Sequence, residues 1–536
     1  MVPPAPWKAK SGGVPAHPRL TIALSHPEIT PRLRLPLRGE HHLHPQTTAA
    51  PQTERSRWPE WPALALFAAV VAYAIPFHEP WADEAQAWQL ARNLSLSELF
   101  RTYIRFEASP GLWHFFLWIL VHLHVSYASM HWICGAIAVL STAILLFKAP
   151  FPRYLKLTLP FTFFLIYQFA VVARNYVLAP LLFYLLALAW KRRPALTAVL
   201  LGLLANVALH AAAISGGLAV AYLFDAVRSG ALKDSQRRRD LLLFCAVLIC
   251  FYAFALWTAW PPKALSNHVA VIRAESISAF AWVAVALLWG IWHPWGLSVI
   301  FWIAIAACLY ARRSLIYLSP FVLFAGFSAV AHCSLWHVGL LVPALITVVW
   351  VTWPSTAIKA GRAELAGRVA MLILAAFQIC WAGYALHFDH YRLFSPDPVA
   401  AAYLRPYVQQ GDSIAISYWD EPVGQAFTAM GILPYFDHNI FVNLPDPYWS
   451  WDNNNPTEDR FNAMLPSHPR IVIVEIKNTG PVDVEKNTNP RFQSLLGAGY
   501  KYDTSFCASM PEMMGERRTY CHVLFKYPSP AAEPGH

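Results

Sequence analysis

The sequence predicts a polytopic α-helical membrane protein carrying a small α/β domain at its C-terminal end. Three observations predict it. The 536 residues are 57% hydrophobic and only 13% charged, with a mean hydropathy of +0.38, against about 45–50% and roughly 25% in soluble domains. The apolar residues gather in about a dozen runs, each near the ~20 residues that a spanning helix needs. Charge is partitioned along the chain. Residues 1–60 hold 8 Lys/Arg and 4 Asp/Glu, residues 61–387 hold 22 and 10, and residues 388–536 hold 11 and 17. An ordinary soluble enzyme, a disordered chain and a fibrous protein are all excluded. The net charge of +10 does not call for nucleic acid, because the basic residues sit in the tail and in short loops between apolar runs. The positive-inside rule accounts for them there.

Residues 1–57 are rich in Pro and His without apolar periodicity, and read as a disordered basic cytoplasmic tail. The first apolar run, Trp61 to Phe77, reads as a membrane helix and not as a cleaved signal, since no small-residue cleavage site follows it. Further spans are expected at about 111–127, 130–147, 157–173, 175–190, 195–224, 241–260, 277–292, 295–311, 315–331, 335–353 and 369–387. The 195–224 run is long enough for two short crossings with His210 at the turn, giving roughly 11–13 spans. Basic loops at 148–156, 191–193, 237–239, 312–313 and 359–368 orient the bundle with those loops inside. The loop 79–110 then faces outside, and the last span delivers residues 388–536 to the periplasm or exterior. Runs 111–147 and 277–311 each look like two helices yet must cross an odd number of times, so one member of each pair is expected to be re-entrant or interfacial.

The domain at 388–536 alternates helical and strand patterns. Asp397–Gln410 and Phe492–Leu496 read as helices, and Ser413–Tyr418, Arg470–Ile476 and Tyr520–Tyr527 as strands. No glycine-rich phosphate loop follows a strand, which argues against nucleotide binding. Six cysteines lie in apolar runs as small hydrophobes. Cys507 and Cys521 flank a polar loop, where a disulfide or two unrelated thiols both fit; an extracytoplasmic location favours the disulfide.

The segment His78 to His114 is the most informative. It is polar, lies between two spans, and carries helical spacing over Ala85–Leu94 and again over Leu96–Phe106, as two amphipathic surface helices would. Asp83 and Glu84 open the first helix. Glu107 ends the second, ahead of Pro110-Gly111-Leu112-Trp113-His114. The pattern HEPWADEAQAW followed by EASPGLWH resembles the first extracytoplasmic loop of GT-C integral-membrane glycosyltransferases, of the bacterial protein O-mannosyltransferase and aminoarabinose-transferase type. Ala173-Arg174-Asn175-Tyr176 before a span, and the Ser334–Ile346 run, are similar to further family features. The resemblance covers roughly residues 60–350.

The resemblance implies a GT-C-like membrane domain over 58–387. It also implies inverting transfer of a sugar from a polyprenyl-phosphate donor to a hydroxyl of a lipid, glycan or protein acceptor, at the outer face of the inner (plasma) membrane. Such transfer needs a base for the hydroxyl, a carboxylate near the developing oxocarbenium charge and a cation for the leaving phosphate. By its match to the family loop, Asp83 is the expected base. Glu84 is the alternative base, or tunes Asp83 by coupled titration; the competing reading has one of the pair merely capping the helix. Glu107 is expected to orient the acceptor or to share a divalent cation with Asp83, against a surface carboxylate paired with Arg101 or Arg105. No other cofactor is expected.

Arg174, beside Asn175 and Tyr176, is the expected phosphate ligand, against snorkelling to the interface. His114, His210, His332 and His337 sit near outer span ends as donor or acceptor contacts, or as packing residues; none shows zinc-protease spacing. Lys263 and Arg273 are further phosphate candidates, and Tyr448 to Asn455 a sugar-stacking candidate. The alternative function is a transporter or flippase for envelope glycan precursors, against which stand the absence of an internal repeat and a polar cluster at one face instead of midway.

Overall fold

The structure is a computed structural model and describes residues 58–107, 109–190, 192–262, 295–331, 333–354, 361–417, 431–448, 458–477, 480, 482–484, 489–512 and 515–528. Lys263, Arg273, the expected 277–292 span, His332 and residues 449–455 lie outside the described residues. Among the described residues, five helices are long and apolar enough to cross a membrane: Glu60–Phe77, Tyr127–Lys148, Leu209–Arg228, Ser235–Ala259 and Arg362–Tyr391. Six shorter apolar helices of 10–17 residues accompany them.

Helix α1 (Glu60–Ala74) runs through a 3₁₀ turn to His78. Helix α2 (Ala82–Asn93) starts one turn earlier than its apolar spacing suggests, so Asp83 and Glu84 both fall in its first turn. The 111–147 run resolves into α3 (Leu112–His122) and α4 (Tyr127–Lys148). At 1.5 Å per residue α3 extends about 17 Å, short of the ~30 Å hydrocarbon core, which leaves α4 as the crossing member. The 195–224 run is indeed two helices, α5 (Pro194–Ala205) and α6 (Leu209–Arg228), with His210 in the first turn of the second.

One expected span is overturned. Residues 157–173 do not form a continuous helix. They break into a last α turn ending at Thr158, a 3₁₀ turn over Leu159–Phe161, a π turn over Phe164–Gln168 and non-helical backbone to Arg174. Pro160 lies in the 3₁₀ turn, where it removes a backbone donor. Non-helical backbone at membrane depth is tolerated where it is buried in protein, and Phe163 to Ala173 are buried throughout. Phe163 stacks on Trp381 at 3.7 Å, holding this segment on the last long helix.

That helix, α7 (Arg362–Tyr391), is 30 residues long and outruns the expected span at both ends. Its two ends mark the two ends of the bundle. At one, Glu60 pairs with Lys156 (3.1 Å) and Arg153 (3.4 Å), and Glu364 pairs with Arg312 (2.7 Å), whose guanidinium lies over Trp353. Arg153, Lys156, Arg312 and Arg368, from three of the expected inward basic loops, thus gather at this end. At the other, Asp389 meets His78.

Beyond α7, helix α8 (Asp397–Gln409) leads to a four-stranded sheet of order β1-β2-β4-β3, formed by β1 (Ile414–Ile416), β2 (Ile471–Lys477), β3 (Lys501–Glu512) and β4 (Gly515–Lys526). β1 and β2 are parallel, and the other pairs are antiparallel. Period-two alternation splits the buried residues: Ile414, Ile416, Ile471 and Ile473 pack with α8, whereas Ala415, Val472, Val474 and Phe525 pack with Phe492 on the opposite face. Cys507 and Cys521 are cross-strand partners on β3 and β4 and form a disulfide. β3 escapes the sequence reading.

This domain sits on the first loop. Arg92 Nη1 donates to Phe436 O (2.9 Å), Phe394 N to Glu79 Oε2 (2.9 Å), and the hydroxyls of Tyr103 and Tyr448 meet at 3.0 Å. Tyr448, the one described residue of the expected sugar-stacking stretch, thus meets the second loop helix.

Candidate active site

The first turn of α2 sends its two acids opposite ways. Glu84, at the third helical position, turns back so that Oε2 accepts the Trp81 N–H (3.1 Å), the capping role acids favour at helix starts. Glu84 is fully buried. Its Oε1 accepts the Ala173 backbone N–H at 2.6 Å and bonds His131 Nε2 at 2.9 Å. Burial alone would raise its carboxyl; His131 and His78 overcome that and hold it well below the usual carboxylate range. A sealed carboxylate with both oxygens engaged cannot take a proton from an incoming hydroxyl, so the expectation of Glu84 as alternative base gives way to capping and positioning.

Asp83 faces the other way. Its Oδ2 lies 2.8 Å from Arg174 Nη1, and both side chains stay partly open, 27% and 21% exposed. Arg174 precedes a short 3₁₀ turn, Asn175–Val177, and its guanidinium sits among three rings: Trp336 at 5.3 Å, Tyr176 at 5.6 Å and Trp81 at 5.8 Å. Aromatic faces hold a guanidinium in place while leaving its N–H groups free to meet an anion. The indole N–H of Trp81 has no hydrogen-bond partner among the described residues.

From Arg174 the cluster continues without a break. Tyr176 meets His337 edge to face at 5.9 Å, and His337 lies 4.1 Å from His210, ring centre to ring centre. Asn175 Nδ2 donates to Val207 O (2.8 Å), fixing the turn that presents His210. Five expected site residues, Asp83, Arg174, Tyr176, His210 and His337, thus form one contact-linked group. With Cys333, His210 and His337 bring three donor atoms within 4.8 Å of one another. The Ser334 backbone N–H donates to His337 Nδ1 at 3.0 Å, however. The neutral ring then carries its proton on Nε2 and presents no metal lone pair there.

Glu107 and His114 stand apart from this group. Glu107 Oε1 accepts from Gln86 Nε2 at 2.6 Å, on the turn of α2 following Asp83. Arg105, one of the two partners in the competing surface reading, donates to Trp260 O. Among the described residues, neither Asp83 nor Glu107 belongs to a group of three close metal donors. His114 is buried in α3, and its Nδ1 lacks a hydrogen-bond partner among the described residues.

Behind the pair lies a set of residues the sequence reading passed over. His78 Nδ1 bonds Asp389 Oδ2 (2.9 Å), and the Tyr167 hydroxyl donates to both Asp389 oxygens at 2.9 Å. Burial alone would lower the pKa of His78; Asp389 and Glu84 overcome it and raise the imidazole to about 10. Beside it, burial pushes Glu79 up to about 7. The signal that could have found these residues was present: His131 and Tyr167 are polar groups inside apolar runs, which at membrane depth are costly without a task.

No protein-family model matches the chain, and no curated protein does. Among solved structures, the chain is similar to the cryo-EM structure of the arabinofuranosyltransferase AftD from mycobacteria, at 14% identity and a TM-score of 0.35. The match covers 89% of this chain and 42% of that one. A superposition this loose carries no argument about activity, so the functional reading rests on the residues above.

Proposed function

We propose that the protein transfers a sugar from a polyprenyl-phosphate donor to an acceptor hydroxyl, with inversion at the anomeric carbon, at the outer face of the membrane. The observation that carries this reading is the partly open Asp83–Arg174 pair, caged by Trp81, Tyr176 and Trp336 at one end of an apolar bundle. A lipid-anchored donor must present its phosphate at such an end. Arg174 suits that phosphate through bidentate hydrogen bonds, and engaging it loosens the hold of Arg174 on Asp83. The base is thereby released when the donor arrives. Asp83 then takes the proton of the acceptor hydroxyl as its oxygen bonds the anomeric carbon. The bond from that carbon to the phosphate oxygen breaks, and the electron pair leaves with the polyprenyl phosphate, stabilised by Arg174. The Trp81 indole N–H is a donor available to sugar or phosphate oxygens. Glu84 positions both strands and takes no proton.

Two features support an outward-facing site. The basic loops converge at the opposite end, which the positive-inside rule assigns to the cytoplasm. The Cys507–Cys521 disulfide suits an oxidising compartment. The test is transfer in proteoliposomes from a radiolabelled polyprenyl-phosphate sugar to envelope lipid or glycan acceptors. Asp83→Asn should abolish label transfer while the protein still inserts. A flippase would move the donor across the bilayer with its sugar–phosphate bond intact, and undiminished transfer by Asp83→Asn would reject Asp83 as the base.

A further inference from the structure

Directly behind Asp83, three buried side chains from three elements turn their donor atoms toward one point. His78 lies at the end of the first span, Glu84 in the first turn of α2, and His131 in the first turns of α4. Their donor atoms lie within 4.8 Å of one another, and all three residues are buried. Glu84 Oε1 is 2.9 Å from His131 Nε2, and Glu84 Oε2 is 3.4 Å from His78 Nε2. Two ligands each ~2.0–2.1 Å from a tetrahedral zinc stand about 3.4 Å apart, so the His78–Glu84 separation is that of two corners of one coordination sphere, whereas the 2.9 Å contact of Glu84 with His131 is a hydrogen bond that a bound ion would replace.

The tautomer of His78 sharpens the point. A carboxylate against one imidazole nitrogen fixes the proton there and frees the other nitrogen to bind metal, the arrangement that commonly surrounds zinc-bound histidines. Asp389, itself held by Tyr167, is that carboxylate, on His78 Nδ1. His78 Nε2 is buried and has no hydrogen-bond partner among the described residues. With the proton on Nδ1, a nitrogen lone pair and a carboxylate oxygen face each other at 3.4 Å. Such a juxtaposition is stable only when a cation lies between them. That cation is either a second proton on His78 or a metal ion.

We propose that His78, Glu84 and His131 form a binding site for one divalent transition metal, with zinc the ion the two-imidazole, one-carboxylate set suits best. The set matches zinc's known ligand preferences and leaves one position for water. The site is separate from the Asp83–Glu107 pair considered from sequence and contributes no step to catalysis. Its role is to pin the end of the first span, the start of α2 and the foot of α4 together. Through Glu84 and the Ala173 N–H it also fixes the strand that carries Arg174. The proposal does not depend on sugar transfer, since its readout is metal content.

The test uses the full chain, purified without a histidine tag, stripped with a chelator, incubated with zinc chloride and passed through gel filtration before elemental analysis. The tail run His41-His42-Leu43-His44 binds zinc on its own account, so the readout is the difference between variants. His131→Gln retains an amide donor for Glu84 and should hold about one zinc per chain fewer than the wild type. Asp83→Asn should hold as much as the wild type. Zinc should also raise the Tm of the stripped wild type and leave that of His131→Gln unmoved. Equal zinc in wild type and His131→Gln would overturn the proposal and assign the cluster to a proton on His78. Should His131→Gln fail to fold, the wild type alone decides: a stripped protein whose Tm does not respond to zinc overturns it equally.

Discussion

Asp83 and Arg174 meet at 2.8 Å through their side chains, while their chain neighbours, Glu84 and Ala173, meet at 2.6 Å through a carboxylate and a backbone N–H. Two consecutive residues on each segment are thus paired, one couple partly exposed and the other sealed in the interior. The outer couple is built to change partners and the inner couple to stay. Asp83→Asn removes the charge but keeps the shape. Transfer should fall by about 10²–10⁴-fold, the usual worth of a general base. Stability should change by less than about 1 kcal/mol, because a partly exposed ion pair contributes little. Activity in proteoliposomes and Tm in detergent check the two halves; a large fall in Tm would assign Asp83 a structural role.

Arg174→Lys keeps the charge and loses the planar fork and its stacking on Trp81, Tyr176 and Trp336. If Arg174 meets the donor phosphate, the defect should appear as a raised KM for the polyprenyl-phosphate sugar. The KM for the acceptor should be unchanged. An equal rise in both would place Arg174 outside the phosphate contact.

Glu84→Ala strands the N–H groups of Trp81 and Ala173, which Glu84 now accepts. A buried donor left unsatisfied costs about 1–3 kcal/mol, so this substitution should lower Tm far more than Asp83→Asn and reduce transfer as well. Loss of activity at full stability would return Glu84 to the chemistry and contradict the positioning role.

Much of this site was legible because its residues sit where sequence patterns are strongest. Asp83 and Glu84 open an amphipathic helix just after the first span, and Arg174 interrupts an apolar run, so both stand out against their surroundings. What pattern could not do was divide the labour of two adjacent acids. That division depends on the helix starting at Ala82 and not near Ala85, and α2 starts there because Glu84 reaches back to the Trp81 N–H. The broken 157–173 segment was read as a span because hydropathy records burial and not helical continuity. Its residues are buried by protein, which satisfies the apolar pattern with a π turn and extended backbone. Asp389 was assigned to the polar domain because α7 outlasts its apolar run by a turn. His131 left only the mark of one polar residue in an apolar run, a signal without periodicity.

The Cys507–Cys521 bond closes a short loop, with 14 residues of separation. A disulfide across a loop of that size stabilises by about 3 kcal/mol, chiefly through the unfolded chain. Cys521→Ser should therefore lower the unfolding midpoint of the C-terminal domain while the α1–α7 bundle remains folded. Limited proteolysis should then cut β3 and β4 sooner than in the wild type. Peptide mapping without reductant should recover the two cysteines in one linked fragment from membranes; two separate thiol peptides would refute the bond.

Gly339 offers the most direct test of the broken segment as part of the site. A Cβ there would lie 2.6 Å from Phe164 Cδ1 and 2.7 Å from Gln168 Nε2, both on the π turn. Gln168 Nε2 also donates to Trp336 O at 3.0 Å, and Trp336 is one wall of the Arg174 cage. Contacts this short force the π turn and the 334–341 turn apart. Gly339→Ala should thus displace Trp336 and His337 together and reduce transfer at least tenfold, mostly through weaker donor binding. The matched control is Gly383→Ala in α7, where an added Cβ meets nothing within 4 Å. Alanine there should be neutral, or stabilising by up to about 1 kcal/mol through helix propensity. Full activity in Gly339→Ala would mean that the π turn and the cage move independently, and the broken segment would then be packing alone.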